Sequence, residues 1–361
     1  MVRAGLIALA LATTAAAPAM AQTTTPYSAN YVFGDSLSDQ GNLAEYFGHN
    51  FPSPPFYRDS FTNGPVAVSV LSARLGLSSN PSLYVSGFTD TKGLGLTPGN
   101  NYAVAGATAG NLAGVPGGNL LTQVGAYLAR SGGLASDNAL YTVFIGGNDV
   151  RTAAHQNDTN YITTGITAEL TGLQTLYGAG ARNFLVVNVP DIGVIPEFQL
   201  GYPDQVALAS ADTVLFNTAL ANGLTSFGSN SPLARVTQFN LYDFQQKLLA
   251  NPGAYGITNT TTPCYTRYSG VTDANTGFTT SAACGQIDPA TGQPTNINSL
   301  AFWDAIHPTA TVQNAVGNAL ANAVLATTPV PEPSTWLTMM AGLALVGTAM
   351  RRRVRRERVA G

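Results

Sequence analysis

Short apolar runs alternate with longer amphipathic stretches between Gln22 and about Thr328. Runs at 29–33, 101–104, 140–145, 183–189 and 236–241 are mostly Val, Ile, Leu, Tyr and Phe, and they predict strands buried on both faces of a parallel sheet. Between them, helical spacing predicts helices over 65–75, 120–130, 161–177 and 203–227, with a last one over 311–325. Strand–helix alternation of this kind predicts an α/β fold with a doubly wound sheet. Two stretches fall outside the rhythm. Residues 48–64 are rich in Pro, Phe and Tyr, and 251–300 in Thr, Asn, Gly and Pro. Both read as long loops, and both are expected to shape the rim of a site.

The ends carry a different pattern. Arg3, an apolar run from Ala4 to Ala12, and Ala19-Met20-Ala21 before Gln22 read as a secretory signal peptide over 1–21; a buried N-terminal helix is the alternative. At the other end, Val330-Pro331-Glu332-Pro333 precedes an apolar stretch from Trp336 to Met350 and then six arginines, Arg351, Arg352, Arg353, Arg355, Arg356 and Arg358. An apolar helix followed by arginines predicts a transmembrane segment with the tail inside and the body outside. Pro-Glu-Pro, apolar helix and arginine cluster together resemble a PEP-CTERM sorting signal over 329–361. That resemblance implies recognition at the inner membrane of a Gram-negative bacterium and cleavage by an exosortase-type enzyme. A plain C-terminal membrane anchor is the alternative, and either places the 22–328 body outside the cytoplasm.

Composition sharpens this picture. The chain is only 10% charged with a net charge of −3, and without the arginine tail the body is clearly acidic, which speaks against nucleic acid as a partner. Cys264 and Cys284 are the only cysteines, and in an exported protein they read as a disulfide rather than as free thiols or half of a zinc site. Closing that loop is worth about 3 kcal/mol on the chain-entropy model.

The candidate chemistry begins where the first strand ends. Tyr31-Val32-Phe33 breaks at Gly34 into a turn that presents Ser36, at the strand end where open α/β sheets place ligands. Taken alone, Asp35 and Ser36 are ordinary turn formers. A serine nucleophile needs a base, and the chain offers His49, His155 and His307. His49 opens the first long loop, and His155 reads as a surface helix residue. His307 lies in Asp304-Ala305-Ile306-His307-Pro308, where a spacing of three puts Asp304 within reach of its Nδ1 and leaves Nε2 for the serine. Two glycine turns after strands, at Gly106 and at Gly146-Gly147-Asn148, offer a backbone N–H and a side-chain amide for a developing oxyanion.

Ser36 in Gly34-Asp35-Ser36-Leu37-Ser38-Asp39-Gln40-Gly41-Asn42, followed by Gly106, Asn148 and His307, resembles the four signature blocks of the GDSL family, also called SGNH hydrolases. Phe61-Thr62-Asn63-Gly64-Pro65-Val66, Asn188-Val189-Pro190-Asp191-Ile192-Gly193 and Asn251-Pro252 with Tyr255-Gly256 are similar to segments of its lipase/acylhydrolase branch. The resemblance implies a flavodoxin-like three-layer α/β/α sandwich with a five-stranded parallel sheet. It implies Ser36 as nucleophile, His307 as base and Asp304 as its orienting carboxylate. The oxyanion hole would be Ser36 N–H, Gly106 N–H and the Asn148 side chain. Ala105 stands where many members carry a second glycine. The expected activity is that of an exported serine esterase or lipase that needs no cofactor or metal. Two alternatives are a carbohydrate O-acetylesterase acting on an exopolysaccharide and a non-catalytic surface module on the same fold.

Overall fold

The computed structural model describes residues 26–327, apart from 48–56, 58, 91–92, 94, 111–117, 267–270, 273–278, 287, 289 and 291–293. The predicted signal peptide, the 329–361 segment with its apolar helix, and His49 lie outside the described residues. No helix among the described residues is long and apolar enough to cross a membrane.

Four parallel strands form the sheet, in the order β1 (Asn30–Gly34), β2 (Leu140–Phe144), β3 (Asn183–Val187) and β4 (Arg235–Phe239). The registers run Val32 opposite Thr142, Thr142 opposite Leu185, and Leu185 opposite Thr237. Alternation along each strand sends neighbouring side chains to opposite faces. Phe33, Tyr141, Val143, Phe184 and Val186 enter one apolar core with α3 (Leu120–Arg130), α4 (Gly147–Gln156), α5 (Asn160–Ala179) and α6 (Val206–Asn230). Val32, Leu140, Phe144, Leu185 and Val187 enter a second core with α2 (Ala67–Arg74) and α8 (Ala310–Thr327). Strands with helices on both sides read as continuous apolar runs, as β1, β2 and β3 do. The edge strand β4 differs, since it is exposed or half-buried along its whole length.

A fifth ladder strand was expected at 101–104, and four are present. The segment runs extended beside β1, where Tyr102 N–H donates to Val32 O (2.7 Å) and Val104 N–H to Gly34 O (3.1 Å). On its other side Asn101 pairs with 80–82, its N–H donating to Asn80 O (2.9 Å) and its carbonyl accepting from Ser82 N–H (2.8 Å), and side chains take further groups. Asn101 Oδ1 accepts from Ala103 N–H (2.9 Å), and Asn42 Nδ2 donates to both Asn101 O and Ala103 O (2.8 Å each).

The five predicted helices form within a few residues of their expected bounds. Three further helices are present: α1 (Asn42–Tyr46), α4, and α7 (Leu241–Ala250). The 251–300 stretch folds back on itself. It holds a small antiparallel sheet of β5 (Tyr265–Thr266), β6 (Val271–Thr272) and β7 (Thr279–Thr280), and Cys264 and Cys284 are bridged. With Tyr265, Ile297, Leu300 and Trp303 the disulfide forms a separate apolar cluster.

Candidate active site

The chain after β1 is turned sharply and then locked. Gln123, on α3, accepts from Gly34 N–H (2.8 Å) and donates to Gly34 O (2.7 Å), which fixes the strand end. The turn itself closes by N–H bonds from Ser38 and Asp39 to Asp35 O. Asp39, wholly buried, then takes four backbone donors: Gly41 and Asn42 on Oδ1, Leu43 and Ala105 on Oδ2. Three of these cap the start of α1, and the fourth ties the nucleophile turn to the glycine turn at 104–107. A carboxylate aimed at free N–H groups at a helix start is the expected pairing. Asp35, next to Ser36, accepts from Leu37 N–H (2.9 Å), and burial pushes its carboxyl up to about 7.

Ser36 reaches across the chain to His307. Its Oγ lies 2.8 Å from His307 Nε2, and His307 Nδ1 lies 2.8 Å from Asp304 Oδ2 and 3.0 Å from Oδ1. Asp304 is also the acceptor for its own turn, from Ile306 N–H (2.8 Å) and His307 N–H (2.7 Å). Burial raises the Asp304 carboxyl, but the imidazole of His307 and these N–H groups outweigh it and hold the group below its ordinary value. It is therefore a carboxylate at neutral pH, and it orders the imidazole with its proton on Nδ1. The same turn is pinned from behind by the 251–300 stretch. Cys264 N–H donates to Phe302 O, Tyr265 N–H to Trp303 O, and Ala301 N–H to Asn259 O. The first long loop meets it from the front: the Phe61 ring sits 5.5 Å from that of His307, and Thr62 Oγ1 donates to Pro308 O (2.9 Å).

The donor side is assembled from two glycine turns. Gly106 adopts φ +79° and Gly146, at the start of α4, φ +106°, both in the region that favours glycine. At Gly146 the ring of Phe216 fills the space a Cβ would take. Asn148, on the first turn of α4, donates Nδ2 to Ala107 O (2.8 Å). The Asp39 bond to Ala105 and the Asn148 bond to Ala107 thus bracket Gly106. Among the described residues no acceptor takes the N–H of Ser36 or of Gly106.

Ser36 and Asn148 open into one pocket, and its deeper walls are apolar. Phe144 at the end of β2, Val189 just beyond β3, Leu241 at the start of α7, and Phe244, Leu248 and Val316 are among the residues that line it. No described residue of 251–300 lines it, and the described part of that stretch backs the turn at 301–307. His155 is not a bare surface residue either. Its ring stacks on Phe198 at 4.8 Å, and Nδ1 contacts Gln205 Oε1 at 3.0 Å. Sequence reasoning passed over Arg151, which lines the pocket and bonds Asn148 Oδ1 (3.2 Å); the i, i+3 spacing to Asn148 was its only signal.

A hydroxyl whose proton has an acceptor, an imidazole backed by a carboxylate, and free N–H donors beside them form the arrangement of a serine hydrolase. Comparison with known proteins gives the family. The GDSL-like lipase/acylhydrolase model matches residues 31–320, and the PEP-CTERM protein-sorting motif matches 329–355. A GDSL esterase/lipase of Arabidopsis thaliana is 28% identical over 335 residues, 81% of this chain and 86% of that protein. Esterase EstA of Pseudomonas aeruginosa is 31% identical over 333 residues, 81% of this chain but 46% of EstA. The chain belongs to the GDSL-like lipase/acylhydrolase family and is a carboxylic ester hydrolase. Its sorting motif marks it for export and sorting in a Gram-negative bacterium.

Proposed function

We propose that this protein is an exported serine esterase that cleaves esters of apolar acyl chains through an acyl-enzyme. The observation that carries the reading is the continuous chain Asp304–His307–Ser36 at the mouth of an apolar pocket. Ser36 Oγ attacks the ester carbonyl while His307 Nε2 takes its proton. The N–H groups of Ser36 and Gly106 and the Asn148 amide receive the oxyanion. Collapse of that intermediate expels the alcohol with the proton from His307, and water attacks the acyl-enzyme by the reverse route. The apolar pocket supports an acyl chain longer than acetyl over an O-acetylated glycan, whose sugar would need polar partners along the walls.

The finer fold and processing belong to the same reading. Helices α3–α6 and the pair α2 and α8 make the outer layers of a flavodoxin-like three-layer sandwich. Residues 1–21 are removed on export, 22–328 form the hydrolase domain, and 329–361 hold the chain at the inner membrane until an exosortase-type enzyme cuts it.

The test uses residues 22–328 with p-nitrophenyl esters graded from acetate to palmitate, beside an acetylated polysaccharide. Ser36→Ala should abolish turnover without changing the fold, and the profile should favour chains longer than acetate. Serine-independent turnover would move the nucleophile elsewhere. A sharp preference for the polysaccharide would favour the deacetylase reading, and no turnover by a folded protein would favour a binding module.

A further inference from the structure

An oxyanion donor works only if its amide faces the right way, and a side-chain amide has two ways to face. Asn148 is held by two bonds of opposite sense. Its Nδ2 donates to Ala107 O (2.8 Å), and its Oδ1 accepts from Arg151 Nη1 (3.2 Å). Turned over, the amide would set NH2 against the guanidinium and its oxygen against a carbonyl, two repulsive pairs in place of two bonds. No described residue accepts the second Nδ2 proton in the observed orientation.

The guanidinium is in turn fixed. Arg151 Nε and Nη2 grip Glu197 in a two-pronged pair at 2.5 and 2.8 Å, and the Glu197 side chain is buried. Such forks hold a guanidinium in plane as a lone contact does not. Glu197 N–H also donates to Ala305 O (2.8 Å), inside the turn that carries Asp304 and His307. His155 Nε2, 3.6 Å from Glu197 Oε1, closes the far side.

We propose that Arg151, gripped by Glu197, is a positioning residue that sets the Asn148 amide with its N–H toward the oxyanion and couples that donor to the acid–base turn. The proposal rests on the reading of Asn148 as an oxyanion donor. Its effect should fall on the transition state and not on substrate binding. Removing an oxyanion donor costs about 100- to 1,000-fold in kcat; releasing its orientation should cost less, on the order of 10- to 100-fold, with KM little changed.

A kinetic double-mutant cycle on the full hydrolase domain reads this directly. Asn148→Ala, Arg151→Met, the double variant and Arg151→Lys are compared on one ester. The expected result is a kcat loss for Arg151→Met that disappears in the Asn148→Ala background, and partial recovery in Arg151→Lys. If Arg151→Met costs the same factor with or without Asn148, the proposal fails while the oxyanion reading stands. If Asn148→Ala keeps wild-type kcat, the oxyanion reading fails and takes the proposal with it. Should Arg151→Met not fold, Glu197→Gln in both backgrounds replaces it, with the same two outcomes.

Discussion

The two turns that meet at the Ser36–His307 hydrogen bond are built in opposite ways. The nucleophile turn is tied into the main fold by buried side chains from four directions: Asp39 to α1 and Ala105, Asn42 to 101–103 and Leu83, Asn101 to Ser38, and Gln123 to Gly34. The turn at 304–307 is held more by backbone bonds, from Glu197 N–H to Ala305 O and from Tyr265 N–H to Trp303 O, with Thr62 Oγ1 donating to Pro308 O. It carries its own carboxylate three residues from its histidine, and it bridges two clusters: Trp303 packs in the small disulfide-stapled unit, while Phe302 and Ile306 pack on the first main core. The Ser36 turn therefore owes its position to the main fold. The His307 turn owes part of its position to a separate cluster, so the two turns can be disturbed to different degrees.

The largest expected effect tests the acid–base turn alone. Asp304→Asn should lower kcat by roughly 10,000-fold, because the imidazole loses the partner that fixes its tautomer. The melting temperature should change little, and a wild-type rate would remove Asp304 from the mechanism. On the other side, Asp39→Ala strands four backbone N–H groups and should cost on the order of 4 kcal/mol of stability in urea unfolding. A loss under 1 kcal/mol, by the same order of magnitude of reasoning, would mean the turn is held by something other than that carboxylate. Reduction of Cys264–Cys284, which closes 20 residues of sequence, should cost about 3 kcal/mol. Hydrogen exchange should then rise across 258–309 and stay unchanged in β1, β2 and β3; a uniform rise would erase the contrast between the turns.

The smallest effect lies away from both. Glu169 is fully buried in α5, with no hydrogen-bond partner for its carboxyl oxygens among the described residues. Burial, helped by the nearby charge of Asp149, pushes its carboxyl well above the ordinary 4.5. The folded chain thus holds a proton that the unfolded chain gives up as pH rises past that value. The stability it contributes is full below the unfolded value and is lost as pH climbs toward the folded one. Glu169→Gln should therefore melt higher than wild type at about pH 8 and level with it at about pH 4. Parallel melting curves across that range would show that the carboxyl is not held neutral.

Much of this was legible from residue order, for reasons that differ by element. Strands β1, β2 and β3 are apolar on both faces, so their runs stand out. Asp304 and His307 share one short turn, so spacing alone joins them. Helix α4 was hidden because it opens Gly146-Gly147-Asn148-Asp149, which reads as a turn until Gly146 is seen at positive φ. Helix α7 was left without an element, only its first residue falling in the predicted strand 236–241, although Asn240, accepting from Asp243 N–H, is a good N-cap. The 101–104 segment has strand composition, yet the side chains of Asn42 and Asn101 decide its pairing, and no local pattern reports a partner 60 residues away. Arg151 belongs to the same class, since its meaning lies in Glu197 across the fold.

The Ser36–His307 bond joins residues 271 positions apart. A chain under synthesis, or one threading through a membrane, owns its nucleophile early and its base almost last. On the proposed mechanism, every shorter version that stops before His307 lacks its base, however well its sheet has formed. On that mechanism, ester substrates met on the way out would meet no partly active form, and hydrolysis would begin only once nearly the whole domain has arrived.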